Sequence, residues 1–227
     1  ARFDDNNNVI EAEGAVTASL TLTSNSMNTG RRRGSGFGYN GFLYVTGGYD
    51  GTSALADIEY AKIDVTTGDT EIWVDSTVQI DRRWGLTVPV SNSFAYVVGG
   101  CTAGPAPSGC TARTSTIQTF QVYNNDSGAP VLYSASANQF GTDRFGASSA
   151  VLNGYLYVAG GCTRAADCTT ATDSVQYAPI DIYGNIGTWS AGGNLPAVWA
   201  WGQREAAGGT LYYVGGQSST ATDERPE

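Results

Sequence analysis

The sequence contains no histidine and a single lysine, Lys62, among its 227 residues. Without histidine, a Ser-His-Asp triad, a histidine general base and most zinc or copper sites are excluded. No stretch approaches the ~18 consecutive apolar residues of a membrane-spanning helix. The net charge is −9, and a negative surface repels phosphate backbones and anionic lipids. We therefore expect neither a nucleic-acid partner nor membrane insertion.

Cysteine is scarce, and its four residues fall into two pairs, Cys101 with Cys110 and Cys162 with Cys168. Each pair begins directly after a Gly-Gly doublet. A metal site built from all four would require two loops to converge, and the CxxC spacing of such sites is missing. A local disulfide in each loop needs only a short loop to close, and it fits an oxidising compartment. We favour two disulfides, no metal or other cofactor, and an extracellular or cell-surface location.

Glycine, by contrast, is abundant at 30 residues, roughly twice the usual ~7%. Much of it belongs to a repeated pattern of which NGYLYVAGG, Asn153–Gly161, is the clearest copy. Similar stretches end at Gly48, Gly100 and Gly216, at intervals of about 50 to 60 residues. Aromatic and β-branched residues before each doublet predict a β-strand. The chain is therefore an internal repeat.

Each repeat contains further strand-like segments around this central one. In the third copy they cover residues 144–152, 155–161 and 173–181, and a last one at 187–189 ends on Trp189. The first copy repeats the order and closes at Ile72-Trp73. Four short antiparallel strands per repeat are typical of a propeller blade. The predicted units span residues 31–75, 82–134 and 143–190, and a split unit combines 200–227 with 1–22.

The two ends of the chain continue the repeat register into one another. Residues 221–227 match 171–177, while residues 1–4 match 178–181 and residues 7–9 match 184–186. Three outcomes are open. The ends can meet in one shared blade, the chain can be part of a larger propeller, or the tail of one copy can pair with the head of the next. The last arrangement would be strand addition between copies and could build a filament.

The order Arg-x-Gly, aromatic strand, Gly-Gly, Tyr-bearing strand and Gly-x-x-Gly-Thr-Trp resembles kelch repeats, in particular those of bacterial surface-type kelch proteins. The resemblance covers nearly the whole chain. It implies an all-β fold, a kelch-like β-propeller of four-stranded antiparallel blades forming a single domain over residues 1–227. About four blades are expected, with one shared between the two ends, unless the chain belongs to a larger propeller. Kelch domains are used mostly for binding.

Three arginines, Arg32, Arg83 and Arg144, occupy equivalent positions of successive repeats in this alignment. Their functional interpretation is a clamp for an anionic ligand, because a guanidinium suits bidentate contact. The alternative, which repetition in register favours, is that each pairs with carboxylates or carbonyls within the blades. In the fourth repeat, Ala200 takes the place of the arginine.

The residues after these arginines give a second candidate set. Trp84, Phe145 and Trp201 are assigned to one register position, as a sugar-binding platform or, more often in such folds, as packing between blades. Trp199 has no counterpart and is the stronger candidate for surface contact with a ligand.

Two polar motifs have structural as well as functional interpretations. Asp4–Asn8 is similar to a calcium loop but lacks the acidic twelfth residue, so a polar turn is favoured. Asn125 begins a glycosylation sequon. Paired carboxylates for glycoside hydrolysis are not excluded, but no catalytic constellation is recognisable, and we expect no enzymatic activity.

The loops that follow the doublets, residues 49–56, 101–115, 162–172 and 217–223, vary in length and composition. A rigid scaffold that carries variable loops is a common basis for binding. We therefore expect an extracellular or cell-surface binding or adhesion module that recognises a protein or a glycan through these loops. The alternative is a structural subunit that polymerises through its terminal strands, and a carbohydrate-active enzyme is the weakest of the three.

Overall fold

The computed structural model of the chain describes residues 25–106, 109–123, 127–135, 138–164, 168 and 170–218. Several predictions concern residues outside these ranges, namely the Asn125 sequon, the Asp4–Asn8 motif and the two terminal segments. No helix in the described part of the chain is long and apolar enough to cross a membrane.

The described residues form three four-stranded antiparallel sheets, which we call blades 1 to 3, a two-stranded hairpin, which we call blade 4, and one further short two-stranded sheet in a loop of blade 2. Within each complete blade the strands pair in chain order from first to fourth. The all-β architecture of four-stranded antiparallel blades is therefore confirmed. The strands of blade 1 are β1 (Ser35–Tyr39), β2 (Phe42–Thr46), β3 (Asp57–Lys62) and β4 (Val74–Gln79).

Blade 2 contains β5 (Val90–Ser91) and β6 (Phe94–Val98), then β9 (Ile117–Val122) and β10 (Pro130–Ala135), with the short pair β7 (Cys101–Ala103) and β8 (Ala112–Arg113) inside its long loop. Blade 3 consists of β11 (Ser148–Leu152), β12 (Tyr155–Ala159), β13 (Thr172–Pro179) and β14 (Ser190–Trp199). Blade 4 is the hairpin of β15 (Gln203–Ala207) and β16 (Thr210–Val214).

The burial of the second strand shows how the blades stack. In β6 all five residues are buried, because Ala95 and Val97 pack toward blade 1 while Phe94, Tyr96 and Val98 pack toward blade 3. The two hydrophobic cores therefore lie between successive blades rather than inside one sheet. The facing sides of blades 1 and 2, and those of blades 2 and 3, therefore cover each other, as expected of stacked repeats.

The fourth strands lie further along the chain than predicted. Ile72-Trp73 and Gly187–Trp189 were expected to form them, but β4 begins at Val74 and β14 at Ser190. Trp189 instead packs edge-on against Phe140, with ring centroids 5.6 Å apart, and its Nε1 donates a hydrogen bond to the Asn138 carbonyl. These aromatic residues therefore precede the outermost strands.

Candidate functional site

Three buried arginines hold the blades together at the end where β2 and its counterparts finish. Arg83 Nη1 donates to the Gly99 carbonyl at 3.1 Å, and Arg144 Nη1 makes the same bond to Gly160 at 3.0 Å. In blade 1 the corresponding bond, to Gly47, comes from Arg31 at 2.9 Å. In each case the arginine precedes its glycine by 16 residues. We call Arg31, Arg83 and Arg144 the framework arginines.

The second nitrogen of each guanidinium contacts the third strand of the same blade. Arg83 Nη2 donates to Gln118, and Arg144 Nη2 donates to Gln176. Arg31 Nη2 forms ion pairs with Asp57 and the fully buried Glu59. Burial lowers the pKa of Arg83 and of Arg144 to about 10, and the Asp81 carboxylate opposes part of this effect at Arg83. Both therefore remain cationic at neutral pH, inside the blades and out of reach of a ligand.

The predicted equivalence of Arg32 with Arg83 and Arg144 is wrong by one residue. Arg32 exchanges backbone hydrogen bonds with Tyr49, as Trp84 does with Cys101, so Arg32 is the counterpart of Trp84. Its side chain is exposed and lies over the Tyr49 ring at 5.4 Å. The constant spacing of 16 residues to the first glycine of the doublet identifies Arg31 instead.

The same shift applies to blade 4. Trp199 takes the place of a framework arginine, because its carbonyl accepts the Gly161 N–H, as the Arg144 carbonyl accepts that of Gly100. Ala200 is the counterpart of Trp84, and Trp201 lies one position further along. The predicted shared position therefore holds for Trp84 and Phe145, which pair with Cys101 and Cys162, and is wrong for Trp201. Trp199 itself is half-buried at the end of β14.

A row of backbone hydrogen bonds links the innermost residues of the blades. Gly85 N–H donates to the Arg33 carbonyl, Gly146 N–H to Gly85, and Trp201 N–H to Gly146, at 2.7 to 2.8 Å. All four residues have φ between 57° and 64°. The Trp201 ring lies so close to Gly85 and Gly146 that a Cβ on either would come within 3.0 Å of it. Glycine at these two positions therefore allows the indole to lie across the inner ends of the blades.

Three aromatic rings lie beneath the disulfide loops although they do not share one register position. Trp84 is fully buried, stacks parallel to Trp201 at 6.4 Å and meets Phe145 edge-on at 5.3 Å. Trp84 Nε1 also donates to the Gly104 carbonyl at 3.0 Å, inside the first disulfide loop. This cluster is packing between blades and supports the loops from below.

Both cysteine pairs form disulfides, Cys101 with Cys110 and Cys162 with Cys168. The sulfurs are buried against the aromatic cluster. The loops are therefore tied at their base, which reduces the entropy that they would lose on binding a ligand. Disulfides of this kind are compatible with an extracellular location.

Two neighbouring loops enclose a groove of about 350 Å³ at this end of the molecule. One wall is the first loop, with Tyr49 and residues 52–54, and the other is the start of the disulfide loop, residues 102–105. Arg82 also lines the groove, and its Nη1 donates to the Ala54 carbonyl in the first wall. We call this the loop groove. It lies within the region predicted from the loops that follow the doublets.

Exposed arginines lie beside the loop groove and at the inner end of blade 1, together with the exposed carboxylate of Asp50. Arg32, Arg33 and Arg82 are exposed, and within the described part of the chain none of them forms an ion pair. Arg33 lies 3.9 Å above the Trp201 ring. Partial burial lowers the pKa of Arg33, and the charge of the adjacent Arg32 lowers it further. An anion bound here would relieve the repulsion between these two cations.

The opposite end of the blades is acidic. Its turns between third and fourth strands contain exposed carboxylates, and backbone N–H groups that bond to the Asp64 carboxylate lower its pKa. A hydrogen bond from the Asn185 side chain does the same for Asp181, with backbone donors adding to it. The two ends of this acidic protein therefore differ in charge.

Comparison with known proteins agrees with this geometry. A model of the kelch motif matches residues 143–177, which cover the framework arginine, β11, β12 and most of β13. The solved structure of YjhT, a kelch-type propeller protein, superimposes with a TM-score of 0.61 at 17% identity. This chain therefore has a kelch-repeat fold. The superposition covers 82% of this chain and 59% of the YjhT chain, and no curated protein matches significantly.

Proposed function

We propose that this kelch-repeat chain is an extracellular binding module that captures an acidic segment of another protein at the loop groove. Kelch repeats generally indicate a protein-binding propeller. The observation that carries the proposal is a groove of about 350 Å³ that is lined by the exposed Arg82 and has the exposed Arg32 over Tyr49 in its wall, on a chain of net charge −9. Cations concentrated on one end of an acidic protein select a partner of opposite charge.

The groove is prepared for binding before the ligand arrives. The disulfide and the Trp84 hydrogen bond restrain one wall. In the other wall, the Asp50 carboxylate accepts the backbone N–H groups of Thr52 and Ser53. These donors lower the pKa of Asp50. Restrained walls lose little conformational freedom on binding. The role proposed for the groove is recognition rather than catalysis.

The proposal is tested by an array of 12-residue peptides in which net charge is varied at constant length and hydropathy. The disulfide-bonded chain is applied as the probe, and a glycan array is run in parallel. We expect retention on acidic peptides that weakens with added salt. Retention on neutral or basic peptides alone, or on glycans alone, would contradict an acidic protein ligand.

Matched variants locate the binding surface. Arg82→Gln removes a charge at the groove, while Lys62→Gln removes one at the opposite end, where Lys62 lies 4.0 Å from Glu71. An exposed ion pair contributes about 0.2–1 kcal/mol, so Arg82→Gln should weaken binding by a factor of about 1.4 to 5. Lys62→Gln should leave binding unchanged. Equal effects of the two variants would place the ligand elsewhere.

The proposed extracellular location needs a separate test, because the disulfides are compatible with that location but do not establish it. Protein isolated from the native source without reduction should carry both disulfides and be found outside the cytosol. Free thiols at Cys101 and Cys162 in that material would show that the protein functions in a reducing compartment.

A further inference from the structure

A second cavity lies among the inner ends of the four blades. It has a volume of about 230 Å³ and is lined by residues 33–36, 85–87, 146–147 and 201–204. We call it the inner cavity. Among the described residues, none that lines it is acidic, although the chain has 21 acidic and 12 basic residues. Two of the lining residues, Arg33 and Arg204, are cationic, so the inner cavity concentrates positive charge on an acidic protein.

Arg204 is a partly buried cation that lacks a counterion in the described part of the chain. Its Nε donates to the Ser149 carbonyl, and the Ser149 hydroxyl donates to the Thr87 hydroxyl at 3.1 Å, so the direction of the guanidinium is fixed. Its Nη1 and Nη2 form no hydrogen bond or ion pair with the described residues. Burial lowers the pKa of Arg204, and the charge of the adjacent Glu205 only partly offsets this effect. An anion at the two free nitrogens would compensate the cost of burying the charge.

Arg33 brings a second guanidinium to the same cavity. It lies 3.9 Å over the centre of the Trp201 ring, and that ring stacks parallel to the fully buried Trp84. A guanidinium that stacks on an aromatic face keeps its N–H groups, which lie in its own plane, available for a carboxylate. The stack therefore holds Arg33 in position without using its hydrogen-bond donors.

The backbone of Arg33 and of Trp201 has a conformation that favours glycine. Their φ angles are 57° and 64°, and Gly85 and Gly146 occupy the corresponding positions of blades 2 and 3. Residues with large side chains adopt this region only at a cost in free energy, and backbone strain of this kind is concentrated at functional sites. The chain thus accepts strain at two positions in order to place large side chains on the inner cavity.

We propose that the inner cavity binds a small dicarboxylate, with one carboxylate at Arg204 and the other at Arg33. Two cations on one cavity match a dianion, and a guanidinium can form two parallel hydrogen bonds with each carboxylate. The cavity volume corresponds to about seven waters at ~30 Å³ each, which is comparable to the size of succinate. The polar side chains of Thr87 and Gln203 also line the cavity. This site shares no lining residue with the loop groove.

The first test uses the unmodified, disulfide-bonded chain. Isothermal titration calorimetry compares succinate with butyrate, which has the same number of carbons but one carboxylate, and with inorganic sulfate. We expect succinate to bind at least about tenfold more tightly than butyrate, because hydrogen bonds between charged groups are the strong ones. Succinate binding no tighter than butyrate would overturn the proposal. Sulfate binding as tight as succinate, or no binding of succinate at all, would also overturn it.

Variants locate the bound succinate. Arg204→Gln should weaken its binding at least about tenfold, and Arg33→Gln by about 2- to 5-fold, since Arg33 is exposed. Arg32→Gln is the matched control, because Arg32 is adjacent to Arg33 but does not line the cavity. Unchanged affinity in Arg204→Gln or in Arg33→Gln would overturn the proposal. Arg82→Gln, at the loop groove, should leave succinate binding unchanged, so the two binding proposals can fail independently.

Discussion

Replacing Arg31 by methionine tests whether the framework arginines are structural, because the adjacent Arg32 provides a matched control. Only 2% of the Arg31 side chain is exposed, and its guanidinium bonds to Gly47, Asp57 and Glu59. Methionine preserves the apolar stem of the side chain and removes the charge. The buried Glu59 carboxylate would then retain only the backbone N–H groups of residues 28 and 29 among the partners seen here.

The loss of folding stability in Arg31→Met follows from this buried carboxylate without its cationic partner. Removing one partner of a buried ion pair costs about 3–5 kcal/mol. For a protein of this size, 1 kcal/mol corresponds to about 2–4 °C in Tm, so Arg31→Met should lower Tm by roughly 6–20 °C. Arg32→Met loses an exposed cation–π contact with Tyr49, which contributes about 0.5–1 kcal/mol.

Scanning calorimetry of the two variants under identical conditions measures the difference. The double variant Arg31→Met/Glu59→Met should recover part of the loss, because an apolar pair replaces a buried ion pair at little cost. If Arg31→Met and Arg32→Met were equally stable, the assignment of Arg31 as the framework residue would be refuted.

Three further predictions concern the loops and the contacts between blades. Cys101→Ser/Cys110→Ser should lower the free energy of unfolding, measured with denaturant, by about 2–3 kcal/mol. An unchanged free energy of unfolding would show that this disulfide adds nothing to stability. Trp84→Phe keeps an aromatic ring but loses the hydrogen bond to the Gly104 carbonyl. It should lower the free energy of unfolding by about 1 kcal/mol and speed amide hydrogen exchange in the first disulfide loop. Unchanged exchange would contradict a role of this bond in restraining the loop. Burial raises the pKa of Tyr44 from 10 to about 12. The contribution of neutral, buried Tyr44 to the free energy of unfolding is fully present below pH 10 and is lost as pH rises toward 12. Between these pH values the free energy of unfolding of Tyr44→Phe should therefore fall less than that of wild type. Equal falls in the two proteins would exclude Tyr44 as the cause.

The features that sequence predicts well are those repeated within each blade. Alternating aromatic and β-branched residues before a doublet identified β2, β6, β12 and β16, because strand pattern and turn chemistry agree there. The kelch-like architecture was predicted from the same repetition, and it is confirmed.

Register within the repeat was harder to predict where several residues of one type are adjacent. Residues 31–33 are all arginine, and matching the motif Arg-x-Gly to Gly34 selected Arg32. The structure instead places Arg33 at the position of Gly85, with positive φ, so the motif shifts by one residue. The distance to the doublet was the better guide.

The loop groove could be predicted only as a region. Its walls come from loops of different blades, and Arg82 contributes from the connection between them. Such a juxtaposition depends on how blades pack, which leaves no spacing signal in one sequence. The charge difference between the two ends likewise emerges only when the turns are placed in space.

The most direct test of a basic binding surface on this acidic protein is fluorescence anisotropy with one labelled acidic peptide from the array. Wild type is compared with Arg32→Gln/Arg82→Gln and with Lys62→Gln across a salt series. We predict that the double variant binds about 5 to 30 times more weakly, from two ion pairs of about 0.5–1 kcal/mol each, and that its affinity depends less on salt. Lys62→Gln should match wild type. Unchanged affinity in the double variant would contradict the account.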